Sequence, residues 1–238
     1  MEEHLSFRME PLLLLHGALG AKDQFAPLLS LLPAAVPVYS FNLPGHGGEP
    51  FPDGPFRIEA FAQHLLSWLD AQNLARVQVF GYSMGGYVAL KAARLHPDRF
   101  SSIFTLATKF NWTPEAAQKE VTKLNPKVLQ EKVPAFAEAL KTRHAPQDWQ
   151  EVLHRTASMM EQLGQKPVLT AAELAQISVP VCIAVGDRDQ MASVEESLAA
   201  SRQLAYGQFH VLPNTKHSLE QLDWPLLASA LQHFFSYA

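Results

Sequence analysis

A chain of 238 residues with a net charge of −4 is long enough for one large domain with its own hydrophobic core. Hydrophobic residues make up 47% and charged residues 18%, which fits a globular protein and excludes a disordered one. No run of Lys or Arg marks a nucleic-acid or membrane surface, and the single cysteine, Cys182, excludes an intramolecular disulfide and a cysteine zinc site.

The N-terminal residues contain no pattern typical of a targeting signal. The apolar stretch PLLLLHG is too short to span a bilayer, and acidic residues precede it where a signal peptide has basic ones. We therefore expect a cytoplasmic protein.

Six short apolar runs end in loops that contain Gly, Asn or Asp. Continuous apolar runs of this length are typical of parallel strands that are buried on both faces. The runs are LLLLHG (12–17), VPVYSFN (36–42), VQVFG (77–81), SIFTLA (102–107), VPVCIAVG (179–186) and GQFHVLP (207–213).

Helical patterns lie between several of these runs. In the stretch RIEAFAQHLLSWLDAQ, for example, Ile58, Phe61, Leu65 and Leu69 fall on one stripe of a helix. Alternating strands and helices predict an α/β fold, with a doubly wound, mostly parallel sheet and helices on both faces.

Residues 111–175 interrupt the alternation, because they carry helix signals and no strand signal. Thr113-Pro114-Glu115 predicts a helix start and Asn125-Pro126 the end of that helix. Pro134 predicts a break or kink in the next stretch, and Gly164 a helix C-cap.

Thr170 and Glu173 form a capping-box pattern for one last short helix before the fifth apolar run. We therefore predict a single domain, in which residues 1–110 and 176–238 form the core and residues 111–175 form a helical cap over the sheet.

The third run leads into the sequence GYSMGG, which places Ser83 between Gly81 and Gly85. A G-x-S-x-G motif between a strand and a helix is the pattern of a nucleophile elbow, a tight turn that exposes the serine hydroxyl. The alternative interpretation is a plain strand-to-helix turn, and the residues after later strands decide between them.

Two later strand ends carry an acid and a base. Asp187 and Asp189 follow the fifth run, and His217 follows the sixth. Because ligands bind beyond the carboxyl ends of parallel strands, these side chains are expected near Ser83. The order Ser, Asp, His is that of a nucleophile, an orienting carboxylate and a general base.

The first run ends in LLLLHGALG, where a backbone N–H can join that of the residue after Ser83 in an oxyanion hole. This interpretation assigns the amides of Ala18 and Met84 as the two donors. We expect His16 to have an orienting, structural role.

The landmarks LLLLHGALG, NLPGHGGE, VFGYSMGGYVALKAARLHPDRF, ISVPVCIAVGDRD and LPNTKHSLE together resemble the α/β-hydrolase superfamily, in its small, capped, carboxylesterase-like branch. The resemblance spans nearly the whole chain outside the cap. It implies a cap inserted after the sixth strand of the family order, Ser83 as nucleophile and His217 as base. The family pattern G-x-x-D favours Asp189 over Asp187 as the acid.

The cap sequence supplies candidates for a substrate pocket. The candidates for lining an apolar acyl site are Trp112, Phe136, Trp149, Met159 and Met160, and Tyr82, which flanks the nucleophile, could also reach the pocket. Packing between cap and core is the alternative for each of them.

Four charged or titratable residues in or near the cap are further candidates. Lys109 and Arg143 are candidates to meet a substrate carboxylate, with surface charge as the alternative. We expect His144 and His154 to be solvated or hydrogen-bonded surface residues. Their spacing to carboxylates does not indicate a metal site.

The sequence as a whole predicts a serine hydrolase that acts on a small or medium carboxylic ester and needs neither metal nor organic cofactor. We expect a small-molecule ester or related acyl substrate as its partner, with no nucleic acid and no membrane; the sequence says nothing about oligomeric state. The alternatives are the same triad acting on a thioester, lactone, amide or C–C bond, including a lyase like that of the menaquinone pathway, or a slow-turnover ligand receptor.

Overall fold

The computed structural model describes residues 9–237. In that part of the chain, six strands form one sheet in the order β2-β1-β3-β4-β5-β6, and each neighbouring pair is parallel. The strands are β1 (Leu12–Leu15), β2 (Val38–Ser40), β3 (Val77–Tyr82), β4 (Phe100–Leu106), β5 (Val181–Gly186) and β6 (Gly207–Leu212).

Each of the six apolar runs contains one strand, which confirms the predicted strand positions. The runs are apolar because helices cover both faces of the sheet. Every residue of β1 and of β5 is buried, as a continuous apolar run predicts. The edge strand β6 differs, since only Leu212 of its six residues is buried. As an edge strand, β6 pairs with β5 on one side and faces solvent on the other, so most of its residues are not fully buried.

Five α-helices of the described residues lie outside the segment between β4 and β5. They are α1 (Ala26–Leu29), α2 (Ile58–Ala71), α3 (Met84–Leu95), α9 (Val194–Gln203) and α10 (Trp224–Phe235). Side chains of α2, α3 and α9 form one hydrophobic cluster with one face of the sheet, and those of α1 and α10 form a second cluster with the other face. This two-sided arrangement confirms the predicted doubly wound α/β fold.

The segment between β4 and β5 contains five helices and no strand among its described residues. They are α4 (Pro114–Val121), α5 (Pro126–Lys132), α6 (Pro134–His144), α7 (Trp149–Gln165) and α8 (Ala171–Leu174). No helix in residues 9–237 is both long and apolar enough to cross a membrane.

Local signals place most of these helix boundaries. The Thr113 hydroxyl accepts a hydrogen bond from the Ala116 N–H at 3.1 Å, which is the expected N-cap of α4. Asn125 caps the start of α5, after α4 has already ended at Val121. Pro134 begins α6 in place of bending a longer helix.

The predicted C-cap at Gly164 is wrong, because α7 continues through it to Gln165. A Cβ atom at Gly164 would lie 2.6 Å from the Ala117 Cβ and 2.9 Å from the Thr113 carbonyl oxygen. The glycine therefore allows α4 and α7 to approach closely. The sequence shows a glycine near a helix end, but not the neighbouring helix that requires it.

Candidate active site

Ser83 occupies the turn between β3 and α3 with φ +50° and ψ −115°, a conformation that is strained for a residue with a side chain. Two hydrogen bonds hold it there. The Ser83 N–H donates to the Leu106 carbonyl at 2.8 Å, and the Thr108 hydroxyl donates to the Ser83 carbonyl at 2.9 Å. The end of β4 and the loop that follows it thus hold the backbone of Ser83 in this conformation.

Glycines surround Ser83 because the backbone is crowded there. A Cβ atom on Gly81 would lie 2.5 Å from the Gly86 Cα, and one on Gly85 would lie 2.3 Å from the Leu15 carbonyl oxygen. A side chain at either position would force β1, β3 and the start of α3 apart. The glycines are therefore needed for close packing that presents Ser83 at the strand end.

His217 lies between Ser83 and Asp189. Its Nε2 is 3.4 Å from the Ser83 Oγ, and its Nδ1 is 2.8 Å from the Asp189 Oδ2. The Asp189 side chain is 0% exposed, and its other oxygen accepts the N–H groups of Met191 and Ala192 at 2.8 and 2.9 Å. Asp189 is thus held in one orientation, with Oδ2 directed at the imidazole.

Asp187 faces a different environment. Its Oδ1 accepts the Thr215 N–H at 3.1 Å, and its side chain is 37% exposed. The backbone N–H of Asn214 is the main cause that lowers the pKa of Asp187, so this carboxylate stabilises the loop that leads to His217. The structure brings Asp189, and not Asp187, to the imidazole.

Tyr82 also supports the position of His217. Its hydroxyl donates a hydrogen bond to the His217 carbonyl, and its ring packs in the cluster that includes α1 and α10. Burial raises the pKa of Tyr82, so the hydroxyl remains a donor. Tyr82 is absent from the lining of the small cavity beside Ser83, but its ring centre lies 5.8 Å from that of His217, so its place in a substrate pocket stays a prediction.

Ala18 and Met84, the residues predicted to supply the oxyanion hole, both line the small cavity that contains Ser83. Ala18 lies in a turn that the Gly20 N–H closes on the Gly17 carbonyl at 3.1 Å. Met84 is the first residue of α3, where helix geometry leaves the N–H without an acceptor and the helix dipole favours negative charge. Both residues line the same small cavity as Ser83, which is the arrangement that an oxyanion hole requires.

This cavity has a volume of about 30 Å³ and a largely apolar lining. Three of the predicted pocket residues line it: Trp112, Met159 and Met160. The full lining is Ala18, Ile58, Ser83, Met84, Tyr87, Lys109, Trp112, Met159, Met160, Leu163 and Met191. Four of these residues are methionines, whose flexible side chains adapt to the shape of a ligand.

A larger cleft of about 740 Å³ lies on the outer side of three of these residues. Ile58, Met159 and Leu163 line both the cavity and the cleft. Movement of these side chains would connect the space beside Ser83 with the protein surface.

Phe136 and Trp149 do not line this cavity, so their assignment to the pocket is wrong. Phe136 is 40% exposed on α6. Trp149 is buried in a separate cluster within the helical segment, together with Leu140 and Leu153. Sequence alone cannot separate an apolar residue that packs helices together from one that faces a ligand.

Sequence reasoning missed four lining residues as pocket candidates: Ile58, Tyr87, Leu163 and Met191. Tyr87 carried a usable signal, because it lies one turn after Ser83 on α3. The others come from distant segments, and their convergence depends on the tertiary fold.

His144 is buried, which contradicts its expected surface position, whereas His154 is exposed as expected. The His144 Nδ1 accepts the Gly47 N–H at 3.1 Å, and its Nε2 lies 3.2 Å from the Leu19 carbonyl. Arg143 donates to the same carbonyl at 2.9 Å. Both residues therefore attach α6 to the loop beside Ala18, and Arg143 is neither a surface charge nor part of the cavity lining.

His144 lies against two more buried imidazoles, His46 at 5.8 Å between ring centroids and, beyond it, His16. His16 accepts the Leu43 N–H at 3.0 Å, in agreement with a structural role. Burial lowers the pKa of His16 and of His144 to about 4, and it lowers that of His46 as well.

We expect this cluster to make stability fall with acidification. The unfolded chain binds protons near pH 6.5, whereas the folded protein keeps these rings neutral to about pH 4, so protons favour the unfolded state between those values. Lowering the pH from 7.5 to 5.0 should cost about 2 kcal/mol for each of His16 and His144. Urea unfolding at the two pH values measures the loss.

The His144→Gln variant should show a smaller loss between these pH values, by about 2 kcal/mol. The matched variant His154→Gln changes an exposed ring and should leave the loss unchanged. Equal unfolding free energies of the unmodified protein at pH 7.5 and 5.0 would contradict this account.

The chain is similar to proteins of a known family. A family described as alpha/beta hydrolase fold matches residues 10–171. Over 226 residues the chain is 29% identical to a pimeloyl-[acyl-carrier protein] methyl ester esterase of Neisseria meningitidis serogroup C, covering 86% of this chain and 85% of that protein.

Two solved structures share the fold. A thermophilic esterase from Thermogutta terrifontis superposes with a TM-score of 0.76 at 23% identity, covering 95% of this chain and 89% of the other. The enol-lactonase from Burkholderia xenovorans superposes with a TM-score of 0.77 at 19% identity, covering 95% and 92%.

Proposed function

Since the chain belongs to the family of the alpha/beta hydrolase fold and is an ester-cleaving hydrolase, we propose that it cleaves a small or medium carboxylic ester through an acyl-enzyme on Ser83. The observation that carries this proposal is the chain of contacts from the Ser83 Oγ to the His217 Nε2 and from the His217 Nδ1 to Asp189.

The proposed reaction follows from these positions. His217 takes the Ser83 proton as the hydroxyl oxygen attacks the ester carbonyl, and the Ala18 and Met84 amides stabilise the oxyanion. The imidazolium then gives its proton to the leaving alcohol. A water molecule, deprotonated by His217, releases the acid from the serine. The 3.4 Å distance between Ser83 and His217 is one that bound substrate is expected to shorten.

We assign the acyl group of the substrate to the methionine-lined cavity. The leaving alcohol must lie near His217, which protonates it, and His217 is absent from the cavity lining. A volume of about 30 Å³ is close to that of one water molecule, so an acyl group must enlarge the cavity, for example by displacing Met159 toward the outer cleft. This requirement favours short acyl groups over long ones. The Neisseria relative is a methyl ester esterase, which supports a small alcohol as the leaving group.

A fluorophosphonate probe and a series of esters test this proposal together. We expect the probe to modify one residue, which peptide mass spectrometry locates at Ser83, and we expect turnover of p-nitrophenyl acetate and butyrate above that of the octanoate. Labelling without steady-state turnover would favour a slow ligand receptor, and absence of labelling would contradict the nucleophile.

A further inference from the structure

Lys109 contributes the one charged side chain among the eleven residues that line the cavity beside Ser83. It follows β4 by three residues, and its side chain is only 10% exposed. Lysine is rarely buried to this degree unless its ammonium group is paired, and the rest of the lining is mainly methionine and aromatic.

The Lys109 ammonium group makes fewer hydrogen bonds than it has donors. It has three N–H donors, and among residues 9–237 its hydrogen-bond acceptor is the Met191 carbonyl at 3.0 Å. The nearest oxygen of Glu196 lies 3.7 Å away, which is beyond hydrogen-bond distance. The Lys109 Nζ also lies 5.7 Å from the centre of the Trp112 ring, a cation–π contact that stabilises the charge but supplies no oxygen acceptor. A buried donor normally has an acceptor, so N–H groups of Lys109 are available to a ligand in the cavity.

Glu196 determines the charge that such a ligand can carry. Its side chain is 11% exposed, and its other oxygen accepts the Phe110 and Asn111 N–H groups at 2.8 and 3.3 Å. The carboxylate is therefore fixed beside Lys109 and balances its charge. A second carboxylate brought by a substrate would be repelled and would leave a net buried charge, whereas a neutral oxygen would not.

We infer that Lys109 is a specificity-determining residue that donates a hydrogen bond to a neutral carbonyl oxygen in the acyl chain of the substrate. This inference rests on the proposed function, since it concerns the acyl side of the same cavity. Because Lys109 and Ser83 line one small cavity, the recognised oxygen lies a few bonds from the ester carbonyl. The substrate class is that of short oxo-acid esters.

Two matched ester pairs test the inference: methyl 4-oxopentanoate against methyl pentanoate, and methyl 5-oxohexanoate against methyl hexanoate. In at least one pair we expect kcat/KM for the oxo ester to be about tenfold higher than for the plain ester. This is the gain expected from a hydrogen bond between a charged donor and a carbonyl oxygen. Lys109→Met keeps an unbranched side chain without the donors, and it should reduce this ratio to about one. The matched variant Lys141→Met, at an exposed position of α6, should leave the ratio unchanged.

If Lys109→Met does not fold, Lys109→Gln replaces it, and the ratio should again fall. Glu196→Gln keeps the ammonium group, so the ratio should persist, while the rate with monomethyl succinate should rise because its carboxylate is no longer repelled. A ratio near one for both pairs in the unmodified protein, or a ratio unchanged by the loss of Lys109, overturns the inference.

The same assays separate this inference from the proposed function. Turnover of methyl pentanoate and labelling of Ser83 test the hydrolase itself, whereas the ratio between oxo and plain esters tests Lys109 alone. A preference for monomethyl succinate over methyl pentanoate that Lys109→Met removes would also overturn the inference, because the recognised group would then be an anion.

Discussion

Ester hydrolysis by the Ser83→Ala variant is expected to fall by about 10⁴-fold or more in kcat, with complete loss of fluorophosphonate labelling. Alanine has no hydroxyl to form the acyl-enzyme, so the variant retains only the binding and the oxyanion contacts. Alanine also has a Cβ, so it experiences the same backbone strain at φ +50° as serine does. We therefore expect an unchanged melting temperature.

Kinetics with p-nitrophenyl acetate, together with thermal unfolding of the same samples, measure this result. The Ser158→Ala variant removes a hydroxyl at an exposed position of α7 and is the matched control, with activity close to that of the unmodified protein. Substantial turnover by Ser83→Ala would show that another group attacks the ester.

Asp189→Asn is expected to lower kcat by about 10⁴-fold, while Asp187→Asn lowers it by less than about tenfold. The Asp189 Oδ1 accepts two backbone N–H groups and would keep doing so as the amide oxygen of asparagine. The amide nitrogen would then take the place of Oδ2 and donate to the His217 Nδ1. This leaves the proton on Nε2, the atom that must accept the Ser83 proton.

Single-turnover kinetics of both variants measure this difference. Asp187 is partly exposed and holds the Thr215 N–H, so its replacement by asparagine should affect the loop more than the chemistry. A collapse of the rate in Asp187→Asn, with near-normal activity in Asp189→Asn, would reverse the assignment of the acid.

The helical segment shows where prediction from the sequence succeeds and where it stops. Caps such as Thr113 and breaks such as Pro134 depend on the few neighbouring backbone groups, so the sequence contains their causes. The predictions for Gly164 and His144 are wrong because residues distant in the sequence form the environments of these two residues. Gly164 is fixed by its contact with Ala117 on α4, and His144 by hydrogen bonds to Gly47 and Leu19.

The sequence by itself determined the parallel α/β sheet, because buried strands require continuous apolar runs and the alternation of strands and helices dictates parallel pairing. It also indicated Ser83, His217 and an acid at Asp187 or Asp189, since parallel strands bring their carboxyl ends to one edge of the sheet, and the resemblance to the family pattern favoured Asp189.

Only the tertiary structure decided which apolar side chains surround the nucleophile. Trp112 and Phe136 look alike in the sequence, yet one lines the cavity and the other is exposed. Lys109 looks like a surface charge until β4, the loop at Met191 and α9 enclose it beside Ser83. Burial of a single side chain depends on segments distant in the chain, and no local pattern encodes it.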